Sequence, residues 1–215
     1  MALKKRVRWF EATFTSGLLA TRPMNEQLRP FTKGPNEDGV IPNEEVEADE
    51  RAAEEIGEEA VDKGVTAFAR DEQGRPCVWA YMIRGFLKSA MTHIRRDKDT
   101  ECAKIKQHKQ IINGDVFVQP AGLIPLELPE GGQLTWCQRP LRAQTMQGDR
   151  VAIATSEEAP PGTKIRFALE AIIPGLDPAI DECWELAEYT FLGQWRNSGK
   201  GTAIVREIPA PENNG

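Results

Sequence analysis

The sequence predicts an α+β protein: an antiparallel sheet, helices on one face of it, and an acidic insertion. Three observations carry this. Residues 164–172 alternate, with Ile165, Phe167, Leu169 and Ala171 on one side and Lys164, Arg166, Ala168 and Glu170 on the other. That pattern marks a half-buried antiparallel strand. Residues 78–96 and 177–191 repeat apolar side chains mostly at spacings of three and four, which marks helices with one buried face. Residues 35–62 hold twelve acids and one base, Arg51, a block too charged to be core.

The elements follow in order. Residues 6–15, rich in β-branched and aromatic side chains, read as a strand. Residues 16–42 carry so many Gly and Pro that they read as irregular loop. Residues 44–61 are rich in Ala and Glu and read as a helix, weakened by Gly57. Residues 65–69 form a short strand, and Asp71-Glu-Gln-Gly74 a hairpin-type turn. The first amphipathic helix then runs over 78–96, with Tyr81, Ile83, Phe86, Leu87, Ala90, Met91 and Ile94 as its periodic residues. Residues 111–155 read as short strands and turns, with strand cores at 116–118, 134–136 and 151–153. Pro160-Pro-Gly162 turns the chain into the alternating strand. The second helix, 177–191, places Ile180, Trp184, Ala187 and Phe191 on one stripe, with Asp177 or Asp181 as its expected cap. Residues 202–208 are the last strand. With the insertion set aside, the order is βαββαβ, that of a ferredoxin-like or RNA-recognition sheet, whose uncovered face meets a ligand.

Composition narrows the function. With 215 residues, one domain spanning 1–215 with the 35–62 insertion inside it is the expected organisation. No apolar run reaches the ~20 residues that span a bilayer, and the basic start leads into Val7-Arg8-Trp9-Phe10 rather than a signal-peptide core. The four cysteines form no Cys-x-x-Cys pair, so a cytoplasmic protein with reduced thiols is expected. Two histidines and no recognisable metal or nucleotide motif leave no cofactor to expect. The net charge of -6 hides an asymmetry: residues 35–62 carry -11, and the remainder +5. The insertion is either a solvated loop and helix or an arm that meets a basic partner or shields a basic groove.

Several segments hold the residue types that grip a phosphodiester chain. Leu192-Gly-Gln-Trp-Arg-Asn-Ser-Gly-Lys-Gly201 combines glycines with neutral donors (Gln194, Asn197, Ser198), cations (Arg196, Lys200) and a stacking side chain (Trp195). Gly199 and Gly201 are expected to let the backbone approach a ligand. Arg84 and Lys88 lie four apart on the first amphipathic helix, hence on one face. Arg139 and Arg142 fall in a polar segment, 139–148, expected to be a surface loop or a clamping arm. Trp136, Trp195 and Tyr81 are candidates for base stacking. Trp184 is expected in the core. The basic run after the first helix, at Arg95, Arg96, Lys98, Lys104, Lys106 and Lys109, reads as solvated surface.

In this order the motifs resemble the RAMP superfamily, the RNA-recognition-like proteins of CRISPR effector complexes, and in particular the backbone subunits that polymerise along guide RNA. Ser16-Gly-Leu-Leu-Ala-Thr21 stands where the family has Ser-Gly-Leu-His-Ile-Gly. Gly74-Arg-Pro76 and Ile83-Arg-Gly-Phe-Leu-Lys88 parallel Gly-x-Pro and Leu-Lys-Gly-Ala-Leu-Arg. Pro160-Pro-Gly-Thr163 matches the Pro-x-Gly-Thr turn, and 192–201 the closing Leu-Gly-Gly-x-Arg-Ser-x-Gly-x-Gly loop. The likeness spans residues 6–208. Departures are Leu19 in place of His, and Trp79-Ala-Tyr-Met82 in place of small hydroxyl residues. Members that cut RNA carry an Asp before the Gly-x-Pro element. Asp62 is the nearest one here, at another spacing, so nuclease activity does not carry over. The wording of 194–201 also resembles phage-encoded proteins, which implies a stand-alone relative.

The expected function is therefore non-catalytic binding of single-stranded nucleic acid, RNA favoured, with copies of the chain or other CRISPR-type effector subunits along the strand and no membrane. The rivals are a ribonuclease on the same fold, using Asp62 or His93, and a phage interaction protein that imitates a CRISPR subunit. Arg196 and Lys200 are expected to matter for binding and little for stability.

Overall fold

The computed structural model describes residues 5–23, 65–145 and 148–211. The acidic 35–62 segment, the helix expected at 44–61, and Asp62 lie outside the described residues. The elements begin with β1 (Arg6–Phe14), β2 (Leu18–Leu19), β3 (Arg22–Pro23), β4 (Val65–Ala67), β5 (Ala69–Arg70) and β6 (Pro76–Trp79). Then come α1 (Ala80–Ile94), α2 (Glu101–Lys104), α3 (His108–Asp115), β7 (Val116–Gln119), β8 (Leu123–Pro125), β9 (Thr135–Thr145) and β10 (Gly148–Ala159). The last are β11 (Lys164–Ala171), α4 (Asp177–Leu186) and β12 (Ala203–Ile208), with a 3-10 turn, Arg196–Ser198, before β12. They form two compact units. The first comprises Met1–Ala20, Phe68–Thr135 and Glu158–Gly215, the second Thr21–Ala67 and Trp136–Glu157.

The first unit is built on a sheet ordered β12-β1-β11-β7 in which every pairing is antiparallel. With α1 between β1 and β7, and α4 between β11 and β12, this is the split βαβ arrangement of a ferredoxin-like fold. The cause is legible in the strands. Phe10, Ala12 and Phe14 of β1 and Ile165, Phe167, Leu169 and Ala171 of β11 are all buried. They meet Ile83, Phe86, Leu87, Ala90 and Met91 of α1 and Ala179, Ile180, Cys183 and Trp184 of α4 in one core. Trp184 lies 5.2 Å from Phe10, 5.9 Å from Phe86 and 5.9 Å from Phe167, ring to ring, so it is core as expected. A small sheet, β5-β6-β8, completes the unit. Its β5–β6 hairpin closes through Asp71, which accepts from the backbone N–H groups of Gln73 and Arg75 at the expected turn. No helix among the described residues is long and apolar enough to cross a membrane.

The second unit pairs β9 with β10, β10 with β4 in parallel, and β4 with β3 antiparallel. The Thr66 hydroxyl donates to Ser156 Oγ across the parallel pair at 2.9 Å.

Four expectations are corrected. Residues 111–155 are not all short strands: Ile111 and Ile112 lie in α3, which buries His108 and Ile112 on one side, and β9 and β10 run to eleven and twelve residues. The β-branched Ile pair suggests a strand, but packing against α1 decides for a helix. Second, the first amphipathic helix starts at Ala80, and Val78 belongs to β6. Third, the last helix stops at Leu186, yet Ala187 and Phe191 beyond it are still buried. The apolar stripe continues past the helix because Leu192 N–H donates to Gly201 O and folds the chain back under the core. Fourth, neither Asp177 nor Asp181 caps that helix. Leu176 is its N-cap without a side-chain bond, and both carboxylates are held by Arg8, Asp177 also by Arg6. Arg8 also donates to Glu207, and that bond comes first among the causes that raise its already high pKa.

Two carboxylate and imidazole contacts tie the helices together. Glu182 of α4 accepts from Glu101 N–H at 2.7 Å and Cys102 N–H at 2.8 Å, satisfying the open end of α2. Burial alone would raise this carboxyl; the two amides outweigh it and hold it below the usual carboxylate range. His108 is buried between Thr92 and Arg95. Thr92 gives its hydroxyl proton to Lys88 O, so it accepts from His108 Nε2, and Nδ1 accepts from Arg95 at 2.8 Å. Burial, then the charges of Arg95 and Lys109, lower the His108 pKa. In the unfolded chain it returns to about 6.5. The unfolded state therefore takes a proton that the fold refuses, and stability falls as pH drops from that value through the lowered one. The urea midpoint should fall between about pH 7 and pH 5, and His108→Gln should flatten that fall; an unchanged slope in the variant would place the titration elsewhere.

Candidate nucleic-acid interface

The glycine-rich loop 192–201 joins α4 to β12 in the first unit, and most of it faces its own protein. Gly201 N–H donates to Gly17 O at 2.9 Å, and Gln194 N–H to Leu19 O at 3.4 Å. Thr202 N–H and its hydroxyl both donate to Ser16 Oγ, at 3.0 and 2.8 Å. Gly193 has φ +88°, and a Cβ there would lie 2.7 Å from Leu19 O; Gly201 has φ +67°, and its Cβ would lie 1.7 Å from Leu192 O. Gly17 faces Glu158, whose Oε1 would be 1.6 Å from a Cβ. The close approach permitted at Gly201 is thus to the chain itself. The Pro160–Thr163 turn reaches the same end of β1, with Gly162 N–H donating to Phe14 O and Phe14 N–H to Thr163 O. Three of the four sequence motifs therefore meet where β1 ends.

What the loop offers to solvent is its tip: Asn197, Ser198 and Gly199 are exposed, and among the described residues nothing beyond its chain neighbours lies within 4 Å of a Cβ built at Gly199. Gln194, Trp195 and Arg196 are half-buried and engaged. Trp195 itself has φ +59°. Lys200, a candidate phosphate ligand, also has a carboxylate partner: its Nζ is 2.7 Å from Glu158 Oε1, both side chains being largely shielded, and the pair ties the loop to the end of β10.

α1 presents a different surface. Its buried side is filled by Ile83, Phe86, Leu87, Ala90 and Met91. The side chains of Arg84 and Lys88, half-buried, have no hydrogen bond or ion pair among the described residues. Tyr81 is 59% exposed and stacks on Trp79, ring centroids 6.2 Å apart at 25°. Gly85 lies in the helix interior, and among the described residues nothing beyond its chain neighbours and its own helix backbone comes within 4 Å of a Cβ built there. A glycine in that position costs about 1 kcal/mol against alanine.

Arg139 and Arg142 lie on β9 of the second unit, not in a loop. Arg139 is 8% exposed, so its guanidinium is not presented at the surface. Of Arg142 only the backbone is described. Trp136 is exposed at the start of that strand.

The sheet face of the first unit opposite the helices holds charged residues that the motifs do not include, although the alternation of β11 assigns two of them to that side. Lys164 and Arg166 both pair with Glu11 at 2.9 Å, and Arg166 with Glu127 at 3.1 Å. The bond from Lys164, then that from Arg166, holds the Glu11 carboxyl low against the opposing effect of burial. Such pairs are individually worth only about 0–1 kcal/mol. Their carboxylates nonetheless cancel the positive potential that a phosphate chain would seek. Among the cations the sequence proposed, Arg84 and Lys88 combine an accessible helix face with the absence of a carboxylate partner.

No protein-family model and no curated protein matches the sequence. Solved structures do match. A chain in the cryo-EM structure of the Type III-B Cmr-beta bound to cognate target RNA aligns with a TM-score of 0.52 at 13% identity, over 96% of this chain and 61% of that one. This protein thus spans about three-fifths of that chain's length. The crystal structure of Cmr6 from Pyrococcus furiosus aligns with a TM-score of 0.47 at 10% identity, over 94% of this chain and 99% of that one. At such identity the first likeness establishes the fold alone, the ferredoxin-like α+β fold that the sequence predicts.

Proposed function

We propose that the chain is a non-catalytic RNA-binding subunit of a CRISPR-type ribonucleoprotein. It holds a single strand by its backbone, in the cytoplasm, beside further copies of itself or other effector subunits. The observation that carries this is the fold, shared over 96% of the chain with a component of an assembly solved with target RNA. The unpaired cations of α1 support it from within the molecule, since phosphate contacts supply most of the salt-dependent affinity for a strand.

The purified protein should carry nucleic acid, visible as a raised 260/280 nm absorbance ratio and identified by extraction. Binding of a labelled single-stranded RNA should weaken with salt. Each charge-assisted bond to phosphate is worth roughly 1.5–3 kcal/mol. Arg84→Ala with Lys88→Ala should therefore weaken binding tenfold or more and make the log–log salt slope shallower by about 0.7 for each phosphate that is no longer neutralised. No RNA binding at low salt would overturn the reading. Strand cleavage abolished by His93→Ala would replace it with the ribonuclease, and capture of a protein partner without nucleic acid would favour an interaction protein.

A further inference from the structure

In the first unit a groove of about 410 Å³ lies between α4 and the edge strand β12. Phe10, Trp184 and Val205 supply its apolar lining, and Asp181, Glu185, Glu188 and Glu207 its carboxylates. Arg8 is the single cation among these lining residues, so four acids and one base leave a charge of -3. Arg8 is already engaged, 2.7 Å from Asp181 and 2.6 Å from Glu207. The side chains of Glu185 and Glu188, both exposed, have no hydrogen bond or ion pair among the described residues. The indole N–H of Trp184 is buried and finds no acceptor there either. Polar groups left over in this way ask for a cation and an acceptor from outside the fold.

The same unit carries the complement. From the end of α1 into α3, Arg96, Lys98, Lys106 and Lys109 are exposed and have no carboxylate partner among the described residues. Within one copy these cations and the groove carboxylates form no pair. Opposite charges left on two surfaces of one chain favour contact between chains, since they steer the encounter and fix its register. We propose that the groove between α4 and β12 receives the basic run 96–109 of a second copy, whose cations meet Glu185 and Glu188. A peptide segment brings both missing groups, cations and backbone carbonyls, whereas a free polyamine brings donors alone. The two surfaces differ, so the contact is heterologous and can repeat from copy to copy. This rests on the part of the reading above that sets copies side by side, and it adds which faces meet; it does not draw on RNA.

The test is sedimentation velocity of the full chain, freed of nucleic acid, over a range of concentrations at low and high salt. Association should rise with concentration at low salt and fall away at high salt. Glu185→Lys with Glu188→Lys should weaken it roughly tenfold or more, and so should Arg96→Glu with Lys106→Glu and Lys109→Glu, because facing like charges repel. All five side chains are exposed and unpartnered among the described residues, so both variants should keep the parent melting temperature. An equimolar mixture of the two variants should associate again, since the intact groove of one meets the intact run of the other. A parent protein that stays monomeric overturns the proposal; if spermidine then raises its melting temperature through Glu185 and Glu188, the groove is a polyamine site instead. Association that survives the groove reversal, or a mixture that does not recover, overturns it too. Binding of a fluorescein-labelled single-stranded oligouridylate separates the two readings. A monomer that binds RNA removes the interface alone, and an associating protein that binds no RNA removes the RNA-binding reading alone.

Discussion

Gly201→Ala should destabilise the protein by about 3 kcal/mol or more. The left-handed backbone at Gly201 costs an alanine about 1–2 kcal/mol. The added methyl would also lie 1.7 Å from Leu192 O, so the loop must move. That movement loosens two bonds made by the same residue, from Gly201 N–H to Gly17 O and from Leu192 N–H to Gly201 O, each worth about 1 kcal/mol. Gly199→Ala is the matched control: the backbone is equally left-handed, at φ +79°, but the space is open, so only the first cost of about 1–2 kcal/mol applies. Urea unfolding of the pair separates the two effects. Equal losses at both positions would mean that the hydrogen bond to the Ser16–Thr21 loop does not hold the glycine-rich one.

Phe191→Ala should cost about 3–5 kcal/mol, the usual range for removing a fully buried phenyl ring. The ring is sealed, packs edge-on to Phe86 at 4.8 Å and lies 5.9 Å from Phe14 and 6.4 Å from Trp184. It thus links β1, α1 and α4, although it belongs to none of them. Tyr189, two residues earlier and 75% exposed, should tolerate alanine within about 0.5 kcal/mol. A loss below about 1 kcal/mol for Phe191→Ala, by thermal or urea unfolding, would show that the cluster closes over the gap.

Both predictions concern residues whose side of the molecule could be guessed from sequence, but whose partners could not. Phe191 fits the stripe of Trp184 and Ala187 because burial, not helix, sets the pattern; the helix ends at Leu186. The glycines of 192–201 announce a special backbone, and Gly193, Gly199 and Gly201 do have positive φ. Their composition does not say whether the space they leave is filled by a ligand or by the chain. Gly193 and Gly201 are filled by the chain, Gly199 by nothing among the described residues. Lys200 likewise reads as a phosphate ligand, and only the fold shows Glu158, distant in sequence, beside it. Arg139 reads as surface until β9 buries it.

What the sequence by itself determined is whatever local periodicity encodes. The alternation of β11, the amphipathic face of α1 and the core place of Trp184 follow from side-chain spacing alone, and with the βαββαβ order they imply the sheet now seen. What only the tertiary structure decided is whatever depends on long-range neighbours. That Ile111 and Ile112 are helical, that three motifs converge on the end of β1, and that Lys164 and Arg166 are neutralised while Arg84 and Lys88 are not are facts about pairs of residues far apart in the chain. Hydrogen bonds and ion pairs act over a few ångströms, and only the fold sets which residues come that close.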